Sequence, residues 1–295
     1  MLRLVWDNPT NHVHVIDLPY RLCSWAFEDS ANVGLWEDAR GKLVGWAVMQ
    51  TPFWMIDLAM PGDSADESIA AALEWADERA NSMLGKSHGL PSWFASVTES
   101  DIRTRNALEA AGFTSQEIGE ESWSQVVMVL DANVNLPPIP VRSGYHLREL
   151  RGEYEVPAYV ELHRSVFGTN NMTELWRRRI LRHPAYRPEL DLVIEDPDGG
   201  LAAFCIGWIS KLPVSENAGG QRYYGQIEPI GVSEHGRRHG LAWSIIAEVI
   251  HRMRDIGADK IYVDTDNYRD RAFAFYQAVG FQIGERILIY RKDYE

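Results

Sequence analysis

The sequence predicts an α/β protein in which one structural unit occurs twice. Strand-like alternation and helix-like periodicity follow one another in both halves of the 295 residues, which is typical of α/β domains. A faint internal repeat supports two copies, because residues 98–113 parallel residues 265–281 with one residue of slippage.

A proline-rich stretch marks the boundary between the two copies. Residues 131–140 contain three prolines, and proline disfavours both helices and central strands. The sequence therefore predicts a first domain at residues 1–132, a linker at 133–143 and a second domain at 144–295.

Strand patterns recur at matching places in the two units. In the first unit they lie at Gly41–Met49 and Trp54–Met60. Their counterparts in the second unit are Asp198–Ile209 and Gln226–Val232. The second unit opens with an alternating, edge-like strand at Tyr145–Leu150.

Helix patterns separate these strands in the second unit. Two are expected at Tyr154–Phe167 and Thr173–His183. A third begins at Leu241, where apolar residues recur every four positions. A fourth covers Ala272–Val279 and ends at Gly280, which predicts a left-handed residue at the end of the helix.

Residues 237–242 are the most informative segment, since they lie between a strand pattern and a helix pattern. The first N–H groups of a helix have no intrahelical partner, and the helix dipole adds partial positive charge there. Arg237, Arg238 and His239 add further positive charge, and Gly240 permits a left-handed backbone. The segment predicts a binding site for a pyrophosphate.

This arrangement resembles the acyl-CoA loop of the GCN5-related N-acetyltransferase (GNAT) family, which reads Arg/Gln-x-x-Gly-x-Gly/Ala between a strand and a helix. Arg237, Gly240 and Ala242 match that loop. Downstream, Asn267, Tyr276 and a Gly-Phe pair follow in the order of the second half of the family signature. The chain is therefore identified as a tandem member of this family, with a layout similar to that of mycothiol synthase.

The resemblance implies a fold, a co-substrate and a binding site. Each unit is expected to have a mixed, mostly antiparallel central sheet flanked by helices, and acetyl-CoA is the expected acyl donor. Asn267 either caps a helix or binds the pantetheine arm. The expected donor-binding residues are Ile230, Gly231, Val232, Arg237, Arg238, His239, Gly240, Leu241, Ala242, Asn267 and Arg271.

Glu228 is the candidate general base. It shares one strand face with isoleucine and valine residues, and partial burial there would raise the pKa of its carboxyl toward neutrality. The alternative is a structural glutamate paired with an arginine. Pro229, next to it, predicts a bulge or an edge in this strand.

Tyr276 is the candidate general acid, because the family uses a tyrosine at this position to protonate the departing thiolate. Packing in the core is the alternative, since neighbouring aromatic residues share its helix. The first unit has Leu108 at the equivalent place. It also has the acidic segment Pro61–Glu67 where the second has its basic loop, and acidic residues repel a phosphate. The first unit is therefore expected to be a non-catalytic copy.

The sequence identifies the residues that bind the acceptor amine less clearly. By resemblance, the first two helices of the second unit form it, with Phe167 and Trp176 as expected walls. The basic run Arg177–Arg179, with Arg182, is either a solvated face or a site for an anionic group on the acceptor, because three consecutive residues cannot share one pocket.

Composition limits the remaining classes of function. Most of the formal net charge of −13 lies in residues 1–135, which hold 20 acidic and 8 basic residues, so nucleic acid is not an expected partner. The acidic residues either keep the protein in solution, which is the favoured interpretation, or attract a cationic amine. The longest apolar run is too short to span a membrane.

No signal peptide and no paired cysteines are expected, which predicts a cytoplasmic protein. His12 and His14 lack a third ligand, so no metal site is expected.

These observations predict an acetyl-CoA-dependent N-acetyltransferase that acts on a primary amine of a small molecule, with its site in the second unit. A catalytically silent acetyl-CoA-binding protein and an enzyme of the same fold with a different acyl donor are the alternatives. Either a monomer or a homodimer is compatible with the sequence.

Overall fold

The computed structural model of this chain describes residues 1–9, 12–61, 65–86, 90–117, 122–213, 221–266 and 269–295. The α-helices are α1 (Leu2–Asp7), α2 (Leu18–Leu22), α3 (Ala65–Met83), α4 (Ile102–Ala110), α5 (Val156–Phe167), α6 (Glu174–Arg182), α7 (Leu241–Ile256) and α8 (Asp270–Val279). The strands are β1 (Val33–Glu37), β2 (Leu43–Gln50), β3 (Met55–Ala59), β4 (Ser92–Thr98), β5 (Thr114–Ser115), β6 (Ser124–Asp131), β7 (His146–Glu149), β8 (Asp191–Glu195), β9 (Leu201–Pro213), β10 (Gln221–Val232), β11 (Ala258–Asp266) and β12 (Gln282–Asp293).

One continuous mixed sheet runs through both halves of the described chain. Its strand order is β1-β2-β3-β4-β12-β6-β11-β10-β9-β8-β7, and β5 pairs with β12 beside this path. Among the described pairs, β3–β4 and β10–β11 are parallel, whereas the others are antiparallel. The predicted mixed, mostly antiparallel sheet flanked by helices is confirmed.

The two halves exchange their last strands. Strand β6 precedes the predicted linker, yet it pairs with β11 and β12 of the second half. Strand β12 in turn pairs with β4 of the first half through Ile287–Asp293. The boundary at residues 133–143 stays a prediction, but the sheet is shared across it.

Helix α7 fixes the centre of the second half. Its predicted apolar face is confirmed, since Leu241, Ile245, Val249 and Met253 are at most 1% exposed. Helix α8 ends at Gly280, whose φ of 114° confirms the predicted left-handed residue. Cys23 and Cys205 are both free and buried.

Arg177, the first residue of the basic run in α6, is buried in the protein. The expectation of a solvated face is therefore wrong for this residue. Its side chain is 0% exposed and bonded to the equally buried Asp191 of β8. Helix geometry turns the neighbouring residues elsewhere: Arg178 and Arg182 pair with Glu153 on the surface.

Candidate functional site

The site begins where two parallel strands of the second half separate. The ladder between β10 and β11 ends at the pair Gln226–Tyr262, while β10 continues to Val232 alongside β9. The β9–β10 register shifts between Ile227 and Ile230, which confirms the irregularity predicted at Pro229. The edge of β10 that faces β11 therefore opens over its last residues.

A cavity of about 380 Å³ lies at this opening. Both halves of the chain form its wall. The first half contributes His14, Asp17, Tyr20, Arg21, Phe53 and Gln125. The second contributes His163, Phe167, Thr169, Asn171, Trp176, Glu228, Pro229, Ile230, Asp264, Thr265, Asp266, Arg269, Ala272 and Tyr276. The expected walls Phe167 and Trp176 are thus present, and Glu228 and Tyr276 share the cavity.

Glu228 has the electrostatic environment of a base that works near neutral pH. Burial, together with smaller contributions from the charges of Asp17 and Asp264, raises the pKa of its carboxyl to about 8. Its main-chain oxygen accepts a hydrogen bond of 2.7 Å from Trp208 Nε1, which holds the strand in place. Among the described residues, no arginine forms an ion pair with the Glu228 side chain, which disfavours the structural alternative.

A second carboxylate with a raised pKa faces the same cavity. Burial, together with a smaller contribution from the charge of Asp17, raises the pKa of Asp264 to about 7. Gln226 Nε2 donates a hydrogen bond of 3.0 Å to Asp264. Sequence reasoning missed Asp264, because an acidic residue on a strand carries no motif of its own.

Tyr276 has a packed ring and forms part of the wall of the cavity. The residue is 7% exposed, and its ring centroid lies 5.5 Å from that of Phe275 and 5.8 Å from that of Phe281. Burial and the nearby Glu228 charge raise the pKa of the phenol above its usual range. The side chain therefore stays protonated and retains a proton to donate.

The predicted pyrophosphate loop lies at the start of α7. Arg237 and Arg238 are exposed, and Gly240 takes a left-handed φ of 78° directly before the helix. His239 Nδ1 lies 2.9 Å from the hydroxyl of Tyr145, which orients the imidazole. An added Cβ at Gly240 would meet no atom within 4 Å, so the loop is open on that side.

The other expected donor-binding residues are spread over the strand and two helices. Gly231 is buried, and a Cβ there would come within 2.5 Å of the Phe204 ring. Leu241 belongs to the hydrophobic core, so only its backbone is free to contact a ligand. Ala242 is partly buried and Arg271 is exposed. The expectation for Asn267 falls outside the described residues.

The first half contributes to the wall through its N-terminal segment. Asp17, Tyr20 and Arg21 lie in or next to α2, and Phe53 precedes β3. Their positions follow from long-range packing, so no local sequence pattern identifies them. The acidic composition of the first half was the one available hint.

The equivalent opening in the first half is filled by the chain itself. Strands β3 and β4 are joined by the single described pair Met55–Phe94, and the cavity beside them measures only about 30 Å³. The segment His12–His14 lines this small space together with Asp57, which is bonded to Arg21 at 2.6 Å. Leu108 is fully buried in the core.

Comparison with known proteins gives one family and one fold. Residues 156–281 match the model of the acetyltransferase (GNAT) family. No curated protein matches the sequence significantly. A GCN5-related N-acetyltransferase from Sphaerobacter thermophilus is 18% identical with a TM-score of 0.59, over 89% of this chain and 81% of that one.

Two further solved structures have similar folds. A tandem GNAT protein from the clavulanic acid biosynthesis pathway is 16% identical with a TM-score of 0.59, over 89% of this chain and 83% of that one. A GNAT-family acetyltransferase from Colwellia psychrerythraea is 13% identical with a TM-score of 0.56, over 100% and 95% of the two chains. At these identities the similarity is one of fold.

Proposed function

Because residues 156–281 of this chain match the model of the acetyltransferase (GNAT) family, we propose that the protein transfers an acetyl group from acetyl-CoA to a primary amine of a small molecule. The observation that carries this proposal is the cavity where β10 leaves β11. It brings Glu228 and Tyr276 together beside a strand edge that is open for a ligand.

The residues around the opening suit the acyl donor. In this proposal the backbone of Ile230 and Val232 binds the pantetheine arm along the open edge of β10, and Gly231 lies between them. The pyrophosphate binds at the N-terminus of α7, where unpaired N–H groups and the helix dipole attract anions. Arg237 and Arg238 are exposed beside it and add positive charge.

Each proton transfer has a candidate group. Glu228 takes a proton from the substrate ammonium, directly or through one water, which leaves a neutral amine. The amine nitrogen attacks the thioester carbonyl carbon and forms the C–N bond, and a backbone N–H of β10 stabilises the oxyanion. The C–S bond then breaks, and Tyr276 donates its proton to the thiolate. The nitrogen then loses its second proton, which returns through water to the Tyr276 phenolate, and the products are an amide and a free thiol.

The second half is the proposed catalytic unit, and the first half is proposed to brace it and to complete the acceptor wall. The opening between β3 and β4 supports this proposal, because the cavity there is only about 30 Å³ and leaves no room for an acyl donor. Among the described residues, no helix is both long and apolar enough to cross a bilayer.

Acetyl-CoA is expected to raise the melting temperature of the protein. A ligand present at 100 times its Kd stabilises the native state by about 2.7 kcal/mol, which corresponds to about 5 °C or more. Differential scanning fluorimetry measures this shift. Arg237→Glu should reduce it, whereas Arg40→Glu, an exposed arginine in the turn before β2, should not. No shift at millimolar acetyl-CoA would contradict donor binding.

Tyr276→Phe is expected to lower kcat about 10²-fold, since the variant keeps the ring contacts and loses the donated proton. The Kd for acetyl-CoA should stay unchanged. Release of free thiol measures turnover, and Tyr294→Phe in the core of the first half serves as the matched control. Unchanged turnover in Tyr276→Phe would remove this residue from the mechanism and favour its role in packing.

A further inference from the structure

The cations that line the cavity are already paired. Arg21 donates two hydrogen bonds to Asp57, at 2.8 and 2.6 Å. Arg269 forms an ion pair of 2.7 Å with Asp266. Both guanidinium groups therefore contribute little net charge to a ligand in the cavity.

Three further carboxylates, those of Asp17, Glu228 and Asp264, line the same cavity. They repel one another, because the Asp17 charge raises the pKa of Glu228 and of Asp264 beyond the effect of burial. A positively charged ligand between them would relieve this repulsion and favour the ionised carboxylates. The cavity is thus electrostatically suited to a cation.

Asp17 has unused hydrogen-bonding capacity inside the protein. The residue is 2% exposed, and its Oδ2 lies 3.1 Å from Nδ1 of His14. Its Oδ1 has no hydrogen-bond partner among the described residues. A buried carboxylate oxygen without a donor is unfavourable, so a donor on a ligand in the cavity would stabilise it.

We propose that the acceptor is an aliphatic diamine whose second ammonium group binds between Asp17 and Asp264, while its reacting amine faces Glu228. This inference rests on the proposed N-acetyltransferase function. The rings of Phe53 and Trp176 line the same cavity, so its wall also suits an apolar spacer.

The test compares three amines of equal chain length on the full-length protein: 1,4-diaminobutane, butylamine and 4-aminobutan-1-ol. Isothermal titration calorimetry measures binding without acetyl-CoA, and thiol release measures kcat/KM with it. We expect the diamine to bind about 10- to 100-fold more tightly than either monoamine, because its second ammonium forms a charge-assisted hydrogen bond with a buried carboxylate.

Three variants test which carboxylates cause the preference for the diamine. Asp17→Asn keeps the shape of the side chain and should reduce the preference for the diamine about tenfold or more, and Asp264→Asn provides a second, independent test. Asp198→Asn, an exposed residue in the turn before β9, should leave it unchanged. Binding of acetyl-CoA to each variant shows that the fold is intact.

The outcomes separate this inference from the proposed function. Equal kcat/KM for the diamine and the monoamines would overturn the diamine site while acetyl transfer stands. Retention of the full preference in both Asp17→Asn and Asp264→Asn would also overturn it. Tight, Asp17-dependent binding of the diamine without thiol release would support the site and contradict the transferase.

Discussion

Glu228→Gln is expected to lower kcat/KM about 10²- to 10⁴-fold, the range over which a positioned general base contributes to catalysis. Glutamine keeps the size of the side chain but accepts no proton from the substrate ammonium. The effect should appear in kcat/KM for the amine, with the Kd for acetyl-CoA unchanged. Thiol release at saturating acetyl-CoA measures it, and Glu161→Gln on the exposed face of α5 is the matched control.

The pH dependence of kcat/KM is a second test of Glu228 as the general base. A base acts in its ionised form, and burial raises the pKa of Glu228 to about 8. The wild-type kcat/KM should therefore rise with pH below about 8 and level off above it. Asp264, with a pKa of about 7, titrates in the same range, so the profile reports the coupled pair. Loss of this rise in Glu228→Gln would assign it to Glu228.

The free energy of unfolding should fall as the pH rises, whereas the activity should increase. The carboxyl of Glu228 has a higher pKa in the folded protein than the value of about 4.3 expected in the unfolded chain. The native state therefore binds the proton more tightly, and stability falls as the pH rises from about 4.3 to about 8. Glu228→Gln removes this loss, so its melting temperature should exceed that of the wild type at pH 8.5. A less stable variant at that pH would identify Glu228 as a structural residue instead.

Local features of the fold were predictable because they depend on short-range rules. The apolar residues of α7 recur with helical periodicity and are buried. Gly280 ends α8 in the left-handed conformation that glycine tolerates best. Pro229 lies at the irregularity in β10, since proline removes a donor from a ladder. Each of these inferences needs only the neighbouring residues.

The wall of the cavity and the order of the strands depend on contacts between distant residues. Asp17 and Glu228 line the same cavity although more than 200 positions separate them in the sequence, and no spacing rule links the two. The alternation of a strand such as β6 fixes which residues face the core, but it does not fix the neighbouring strand. Arg177 was misjudged for a related reason: its partner Asp191 lies on another element, and the sequence shows only a run of basic residues.

Separating the chain at the predicted linker is expected to prevent both halves from folding. A fragment of residues 144–295 lacks β6, which is the shared neighbour of β11 and β12. Strand β12 would lose both of its neighbours, β4 and β6. Its residues Ile287, Leu288 and Ile289, which are at most 1% exposed in the intact chain, would then lie on an unpaired strand. An unpaired apolar strand edge favours aggregation.

The complementary fragment has the same defect. Residues 1–143 lack β12, so β4 and β5 lose a partner and β6 has no neighbour within the fragment. We expect each fragment alone to be insoluble or to melt without cooperativity, as measured by circular dichroism. Co-expression should yield a complex that copurifies, because each fragment supplies the strand that the other lacks.

A fragment of residues 122–295 is the matched control, since it restores β6 between β11 and β12. It should be more soluble than residues 144–295, although the later part of β12 still lacks β4. Cooperative melting of residues 144–295 alone would show that the predicted second domain folds independently and that strand exchange contributes little. Its failure, with recovery on co-expression, would mean that the second half depends on the first half for its sheet as well as for the wall of the cavity.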